Sequence, residues 1–302
     1  MADYPKITIG VPVYNGEKFI QKCLESVLKQ TRTDFELLIS DNASTDKTSE
    51  ICKKNVLKDK RIRYIRQRKN LGALNNFRYL LKEAKGEYFA FLAVDNYYQD
   101  NYLDKCISTL DTSKEIVGVM GKLKIDENYH DVFSKEKKML KKIGLSYRPI
   151  QEICIEGNYN RRIKTWLKNI PWQLFYSVYR TEVVRKGDLN EFFVGSDGAF
   201  MLSILKFGGI RTISDTTFVS FPYGESINGT IQSAIKINPG LVSKIFPFYP
   251  LTKWCIKNLG IKNCLKNSRH IIRLNFDGVF LYLKDLYVFF KKKSSLENMD
   301  RL

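Results

Sequence analysis

A chain of 302 residues with 44% hydrophobic and 27% charged residues is globular, not disordered or fibrous. It is long enough for one large α/β domain with an appendage or for two ordinary domains. Its formal net charge of +18 points to a polyanionic neighbour: nucleic acid, an anionic membrane surface or a phosphorylated substrate.

The start, "MADYPKITIG", has no basic stretch ahead of an apolar core, so no signal peptide is expected and the catalytic part should face the cytosol. "KITIGV" is a first strand, followed by the helix "EKFIQKCLESVLKQ". Its Phe19, Ile20, Cys23, Leu24, Val27 and Leu28 recur at three- and four-residue spacing on one face. "FELLIS" is a second strand with a helix over about 46–58, and "IRYIRQ" a third with a helix over about 73–85. "YFAFLAV" is a fourth strand, a helix begins near Asp100, and "VGVMGKL" reads as a fifth strand. Strands alternating with helices predict βαβ units and a mainly parallel sheet. Further on, "RTISDTTFVSFPYGESINGT" reads as a β-ribbon closing this domain near residue 225.

In open α/β sheets ligands bind beyond the carboxyl ends of the strands. There stand Pro12-Val13-Tyr14-Asn15-Gly16, then Asp41-Asn42-Ala43-Ser44-Thr45-Asp46, then Asn70-Leu71-Gly72, then Asp95-Asn96. Taken singly, Asp46 reads as a helix cap and Asn70-Leu71-Gly72 as a turn. Four such ends at one sheet edge read as a site. Neither GxGxxG after the first strand nor GxxxxGK[ST] occurs, which argues against a dinucleotide oxidoreductase and a P-loop NTPase. A nucleotide here must be gripped by side chains and a cation.

"VPVYNGEKFIQKCLESVLKQT", "FELLISDNASTDKTSEI", "NLGALNNF" and "GEYFAFLAVDN" together resemble the inverting family-2 glycosyltransferases. The resemblance is close over about 5–110 and looser to about 225. It implies the GT-A fold, a Rossmann-like mixed sheet flanked by helices. It also implies a nucleotide-sugar donor, most simply a UDP-sugar, and a lipid-linked or cell-surface glycan acceptor. Carried over by position, Pro12, Tyr14 and the adjoining Asn15 line the nucleotide pocket, and Asp41 hydrogen-bonds the base. Asn70, Gly72 and Asn76 contact the donor, and Asp95 with Asn96 form the metal motif for Mg²⁺ or Mn²⁺. Asp197, in "FVGSDGAF" at a helix start, falls on the catalytic base. Hard cations take oxygen ligands, and an inverting displacement needs one carboxylate to deprotonate the attacking hydroxyl. The metal motif departs from its usual two or three acids, since Asn96 is an amide. That leaves a second reading: a catalytically impaired or inactive sugar-nucleotide-binding relative.

Residues 125–170 match nothing specific. "KEKKMLKK" and "NYNRRIKTWLKN" suit either a phosphate-bearing acceptor or a solvated charged face. Six cysteines with no CxxC pair, and only two histidines, exclude zinc-ligand spacing and read as reduced, buried thiols. From Lys236 to Lys293 there are twelve Lys or Arg against Asp277 and Asp285, interleaved with "IFPFYPLTKW" and "FLYLKDLYVFF". The division expected is a catalytic domain over 1–225, with its nucleotide-binding part at 1–110 and its acceptor part at 111–225. A helical, basic, amphipathic extension over 226–302 follows. Its stretch 236–293 would lie on an anionic membrane surface, peripherally and on the cytoplasmic face, since no apolar run reaches the roughly 18–20 residues of a spanning helix. The alternative for this stretch is a helical subdomain packed on the catalytic domain or on a second protomer of a homo-oligomer. No nucleic-acid module is recognisable, so no nucleic-acid partner is expected.

Overall fold

The computed structural model of the protein describes residues 4–126, 153–221, 230–238 and 240–299. Strands β1 (Ile7–Val13), β2 (Phe35–Asp41), β3 (Ile62–Arg66) and β4 (Tyr88–Phe91) alternate with helices α1 (Ile20–Leu28), α2 (Thr48–Val56) and α3 (Ala73–Glu83). The predicted apolar stripe of α1 is its packed face, with Ile20, Cys23, Leu24 and Val27 buried. β1 is parallel to both β2 and β4, and β2 to β3. Burial on both sheet faces explains why β1 and β2 read as near-continuous apolar runs rather than alternating ones.

Next come β5 (Asn96–Tyr98), α4 (Tyr102–Thr112), β6 (Ile116–Ile125), β7 (Cys154–Ile155) and α5 (Tyr159–Asn169). A 3₁₀ turn (Trp172–Tyr176), β8 (Val178–Arg180), α6 (Thr181–Val184), α7 (Ser196–Ile204) and β9 (Gly209–Ser220) complete the domain. The nine-stranded sheet runs β3-β2-β1-β4-β8-β6-β9-β5, with β7 on β9. Its long pairings are parallel and its short ones antiparallel, which is the mixed, mainly parallel GT-A arrangement.

Three expectations change. The fourth strand ends at Phe91 rather than Val94: Leu92 N–H makes the last bond to β1, at Gly10 O. The Asn96 N–H then closes a turn on Ala93 O, and the chain leaves to pair with β9 as β5. The expected ribbon is a single strand over 209–220. Its register against β6 jumps from Ile213 to Thr217, a bulge that bends it so that it serves β6, β5 and β7 together. The rest of the ribbon and the boundary near 225 lie outside the described residues, as does "KEKKMLKK". Five cysteines are buried as expected, but Cys154 is exposed on the two-residue strand β7.

The C-terminal region is helical: α8 (Thr230–Ile237), α9 (Leu241–Ile245), α10 (Tyr249–Leu259), α11 (Ile261–Lys266) and α12 (Ser268–Met299). It is packed on the sheet domain. The Phe248 ring stacks on Trp172 at 5.4 Å, Leu251 is fully buried, and Trp254 Nε1 donates to Asp188 Oδ2 at 2.6 Å. Among the described residues no helix is long and apolar enough to cross a membrane.

Candidate functional site

The loops after β1 and β2 are joined by bonds that pin both at the sheet edge. Asn15 N–H donates to Ser44 Oγ, Gly16 N–H to Thr48 Oγ1 and Glu17 N–H to Asp46 Oδ2. In return Thr45 N–H donates to Asn15 Oδ1 and Lys47 N–H to Glu17 Oε2. Asn15 and Ala43 both adopt positive φ, of 53° and 63°. Such residues persist where the surroundings hold them. Asp46 also takes the N–H of Thr48, the first residue of α2, so it ties the start of that helix to the loop after β1.

Several residues expected at the nucleotide belong to this frame. Asp41 is fully buried: Oδ1 accepts from Ser44 N–H at 2.8 Å and Oδ2 from the Tyr64 hydroxyl at 2.6 Å. Its carboxylate therefore sits beneath the loop, with a protein donor on each oxygen. Asn76 is buried too. Its amide is taken up by Ser40, accepting from Oγ and donating to the carbonyl, so it ties α3 to β2 rather than facing a donor. Asn70 is exposed, and its Oδ1 accepts from Gly72 N–H and from Asn42 Nδ2. Gly72 takes φ +78° at the entry to α3, a conformation strained for other residues. Asn42, which residue-type reasoning passed over, links the loops after β2 and β3 by also accepting from Leu71 N–H. Its signal was positional, as the first side chain beyond the strand. Pro12 is half-buried, and Tyr14, 49% exposed, presents a ring that a base could stack on.

Asp95 and Asn96 stand at the turn between β4 and β5. Asp95 is half-buried, and its carbonyl accepts from Phe221 N–H. Asn96 is 5% exposed, and its Oδ1 has no hydrogen-bond partner. Buried side-chain oxygens are nearly always paired, so this unpaired oxygen, one residue from a carboxylate in sequence, fits an electropositive partner. A neutral carbonyl oxygen and a carboxylate oxygen are both suitable donors for a hard cation.

Asp197 is in the first turn of α7, where Oδ1 accepts from Gly198 N–H at 3.0 Å. Burial pushes its carboxyl up to about 6, against the opposing pull of that backbone donor. The absence of a side chain on Gly198 matters, because a Cβ there would stand 2.8 Å from the rings of Trp166 and Trp172. The helix that Asp197 opens is thus packed at its next residue against two indole rings.

Tyr176 connects the two acidic positions. Burial drives its phenol upward first, followed by the negative fields of Asp95 and Asp197. The turn after β4 and the start of α7, 102 residues apart in sequence, therefore both bear electrostatically on one phenol. Sequence reading missed Tyr176, because a 3₁₀ turn carries no periodicity. Among the larger surface cavities, one of about 440 Å³ lies between residues 188–193 and α10, lined by Lys253, Trp254 and Lys257. It adjoins α7 at Ala199 but contains none of the strand-end residues.

A family model described as Glycosyl transferase family 2 matches residues 8–171. Glycosyltransferase GlyG of Streptococcus pneumoniae is 27% identical over 163 residues, 54% of this chain and 52% of that protein, so the chain spans about half of that relative. A Methanococcus voltae enzyme is 27% identical over 234 residues, 73% of this chain and 67% of its own. Its name is dolichyl N-acetyl-alpha-D-glucosaminyl phosphate 3-beta-D-2,3-diacetamido-2,3-dideoxy-beta-D-glucuronosyltransferase. Among solved structures, S. aureus TarS 1-349 in complex with UDP-GlcNAc superposes with a TM-score of 0.55 at 18% identity. That match covers 91% of this chain and 81% of TarS 1-349.

Proposed function

Since this chain belongs to glycosyl transferase family 2, we propose that it moves a hexose-type sugar from a nucleotide donor, a UDP-sugar, to a lipid-linked or cell-surface glycan. The reaction is an inverting single displacement with Asp197 as base. The observation that carries this reading is Asp197 in the first turn of α7, its Oδ1 accepting from Gly198 N–H and its carboxyl raised by burial to about 6. A carboxylate with that value is ionised at neutral pH yet basic enough to accept the acceptor hydroxyl's proton as it attacks. Pro12 and Tyr14 form the base platform, while Asn15, Asp41, Asn42, Asn70, Gly72 and Asn76 hold the loops around it. Asp95 and the unpaired Asn96 Oδ1 would hold Mg²⁺ or Mn²⁺, which when bound offsets charge on the departing diphosphate.

The phosphate in the Methanococcus enzyme's name, and Lys253 and Lys257 beside α7, favour a lipid-phosphate acceptor. We also place the protein peripherally on an anionic membrane surface, at its cytoplasmic face, through 236–293. Thermal shift against a panel of sugar nucleotides, followed by transfer assays with Mn²⁺ present, tests the enzyme reading. No stabilisation by any nucleotide would sink it. The second reading, an inactive donor-binding relative, is favoured only by Asn96. It predicts donor binding without transfer, with transfer appearing in the Asn96→Asp variant.

A further inference from the structure

The membrane reading names a stretch of chain, and the side chains single out a face. Among the described residues, eleven large apolar side chains stand exposed between Ile235 and Phe280, against five in all of 4–221. On α12 they follow the helix period in reverse. Ile272, Phe276 and Phe280 are 56%, 57% and 42% exposed and continue the line of exposed Arg269, while Ile271, Leu274 and Gly278 are buried underneath. A solvated helix keeps polar residues on that outward stripe. The preceding α11 repeats the pattern, with Ile261 and Leu265 each 67% exposed beside exposed Lys262 and Lys266. The Tyr282 hydroxyl, one turn beyond buried Gly278, donates to Lys244 O and so joins α9 to α12, and α9 leaves Leu241, Val242 and Ile245 exposed.

Cations frame this apolar surface, and they come from two parts of the chain. His270 is held below its usual value by burial first, then by the positive fields of Arg273, Arg269, Lys164 and Lys168. Those last two stand exposed on α5, in the sheet domain. Arg273 closes the join, donating to Lys168 O at 2.7 Å and to Leu167 O, while Asp277 lies 3.7 Å from its Nε. The cationic crowd is therefore a fixed surface of two packed helices rather than a loose tail.

We propose that the protein docks on an anionic bilayer through this composite face, with Ile261, Leu265, Ile272, Phe276 and Phe280 entering the interface. Lys164, Lys168, Lys262, Lys266 and Arg269 then meet the headgroups. The proposal rests on the membrane reading given above and adds to it which surface docks and which way the site faces. Charge decides the occupant. A second copy packed on the same face would set like charges against like, whereas acidic headgroups neutralise them. Orientation follows from α5. Lys164 and Lys168 point outward, while Trp166 on the opposite side of that helix abuts Gly198, next to Asp197. A lipid-carried acceptor would thus meet the base across a single helix layer.

Flotation of the full chain with phosphatidylcholine–phosphatidylglycerol vesicles, and with phosphatidylcholine alone, tests this. Binding is expected to the anionic vesicles only and to weaken with salt. It should fall by about tenfold or more in both Phe276→Glu/Phe280→Glu and Lys168→Glu/Arg269→Glu. Leu57→Glu, at an exposed apolar residue elsewhere, should bind as the parent does. If the parent binds and both double variants bind equally well, this face is wrong although the membrane reading stands. If the parent fails to bind anionic vesicles, the membrane reading falls with it. If the parent sediments as a dimer that Phe276→Glu/Phe280→Glu converts to monomer, the face is a self-contact and the proposal is overturned.

Discussion

In the sheet domain, polar side chains at the strand ends bond partners about thirty positions away: Asn15 with Ser44 and Thr45, Asn42 with Asn70 and Leu71, Asn76 with Ser40. In the C-terminal helices asparagines mostly reach near neighbours. Asn258 and Asn275 each donate to the carbonyl four residues earlier in their own helix, Asn263 to Leu259 O of α10 and Asn267 to Asn263 O of α11. The first pattern over-determines a three-dimensional frame, and the second joins only adjacent turns. Helices of this kind are held to the protein by the apolar burial of one side, so the outward side is released for other work. The two regions meet at α7, where Gly195 and Gly198 face Phe248 and Leu251.

The largest effect is expected at that meeting point. Asp197→Asn should lower transfer by about a thousandfold while donor binding, read by thermal shift, persists. The pH signs follow from the raised value of about 6. Parental transfer should rise as pH increases through that value, since the base acts ionised. Stability runs the other way. A carboxyl raised in the folded state contributes fully below its ordinary value near 3.8, and that contribution is lost as pH rises through about 6. The Asn variant should therefore melt higher than the parent at pH 8 and no higher at pH 4. Equal melting at pH 8 would mean that the carboxyl is better solvated than its burial implies.

The frame should break next. Asp46→Ala removes acceptors for Thr48 N–H, Thr48 Oγ1 and Glu17 N–H, and should cost about 2 kcal/mol in denaturant unfolding. The loss should shrink at acid pH. Asp46 is held below its usual value by these bonds, chiefly from Thr48 and prevailing over its own partial burial, so its contribution is lost as pH falls through that lowered value. If the variant unfolds like the parent, the cross-loop bonds do not define the frame.

What could be read without coordinates follows the same division. The four parallel strands and their helices were legible because burial on both faces makes the strands apolar runs and burial on one face gives the helices a period. Strand β8 and strand β5, three residues each, were not, since so short a run has no period to show. The site was legible as a set of strand ends but not as roles. Asp41 and Asn76 have the residue types of ligand contacts, yet their partners are Tyr64, Ser44 and Ser40, chosen by tertiary packing. In the tail the sign of the charge and the aromatic content were plain. That Arg273 joins α12 to α5 was not, because it depends on two backbone carbonyls.

A smaller change is expected at Asn96. Replacing the amide by a carboxylate should raise Mn²⁺ affinity by about tenfold in titration calorimetry, since a second charged oxygen would stand where an unpaired neutral one now does. The same carboxylate lies beside Asp95, and without metal two like charges in partly buried positions repel. Apo Asn96→Asp should therefore melt slightly below the parent, and added Mn²⁺ should more than restore it. A variant stabilised without metal would indicate that Asn96 Oδ1 meets a fixed donor of the protein instead.

The smallest effect tests the other half of the contrast. Phe276→Ser and Ile272→Ser remove exposed apolar surface from the outward side of α12, so each should change unfolding free energy by no more than about 0.5 kcal/mol. Transfer to a soluble acceptor should be unchanged, because neither residue is near the carboxylates. Conversely, Leu274→Ala, on the buried side of the same helix, should cost about 2–4 kcal/mol. Such a spread between side chains two positions apart means that α12 holds to the protein by one face alone. Were the outward residues to cost as much, they would be packed against something in the free protein, and that face could not be kept open for a bilayer.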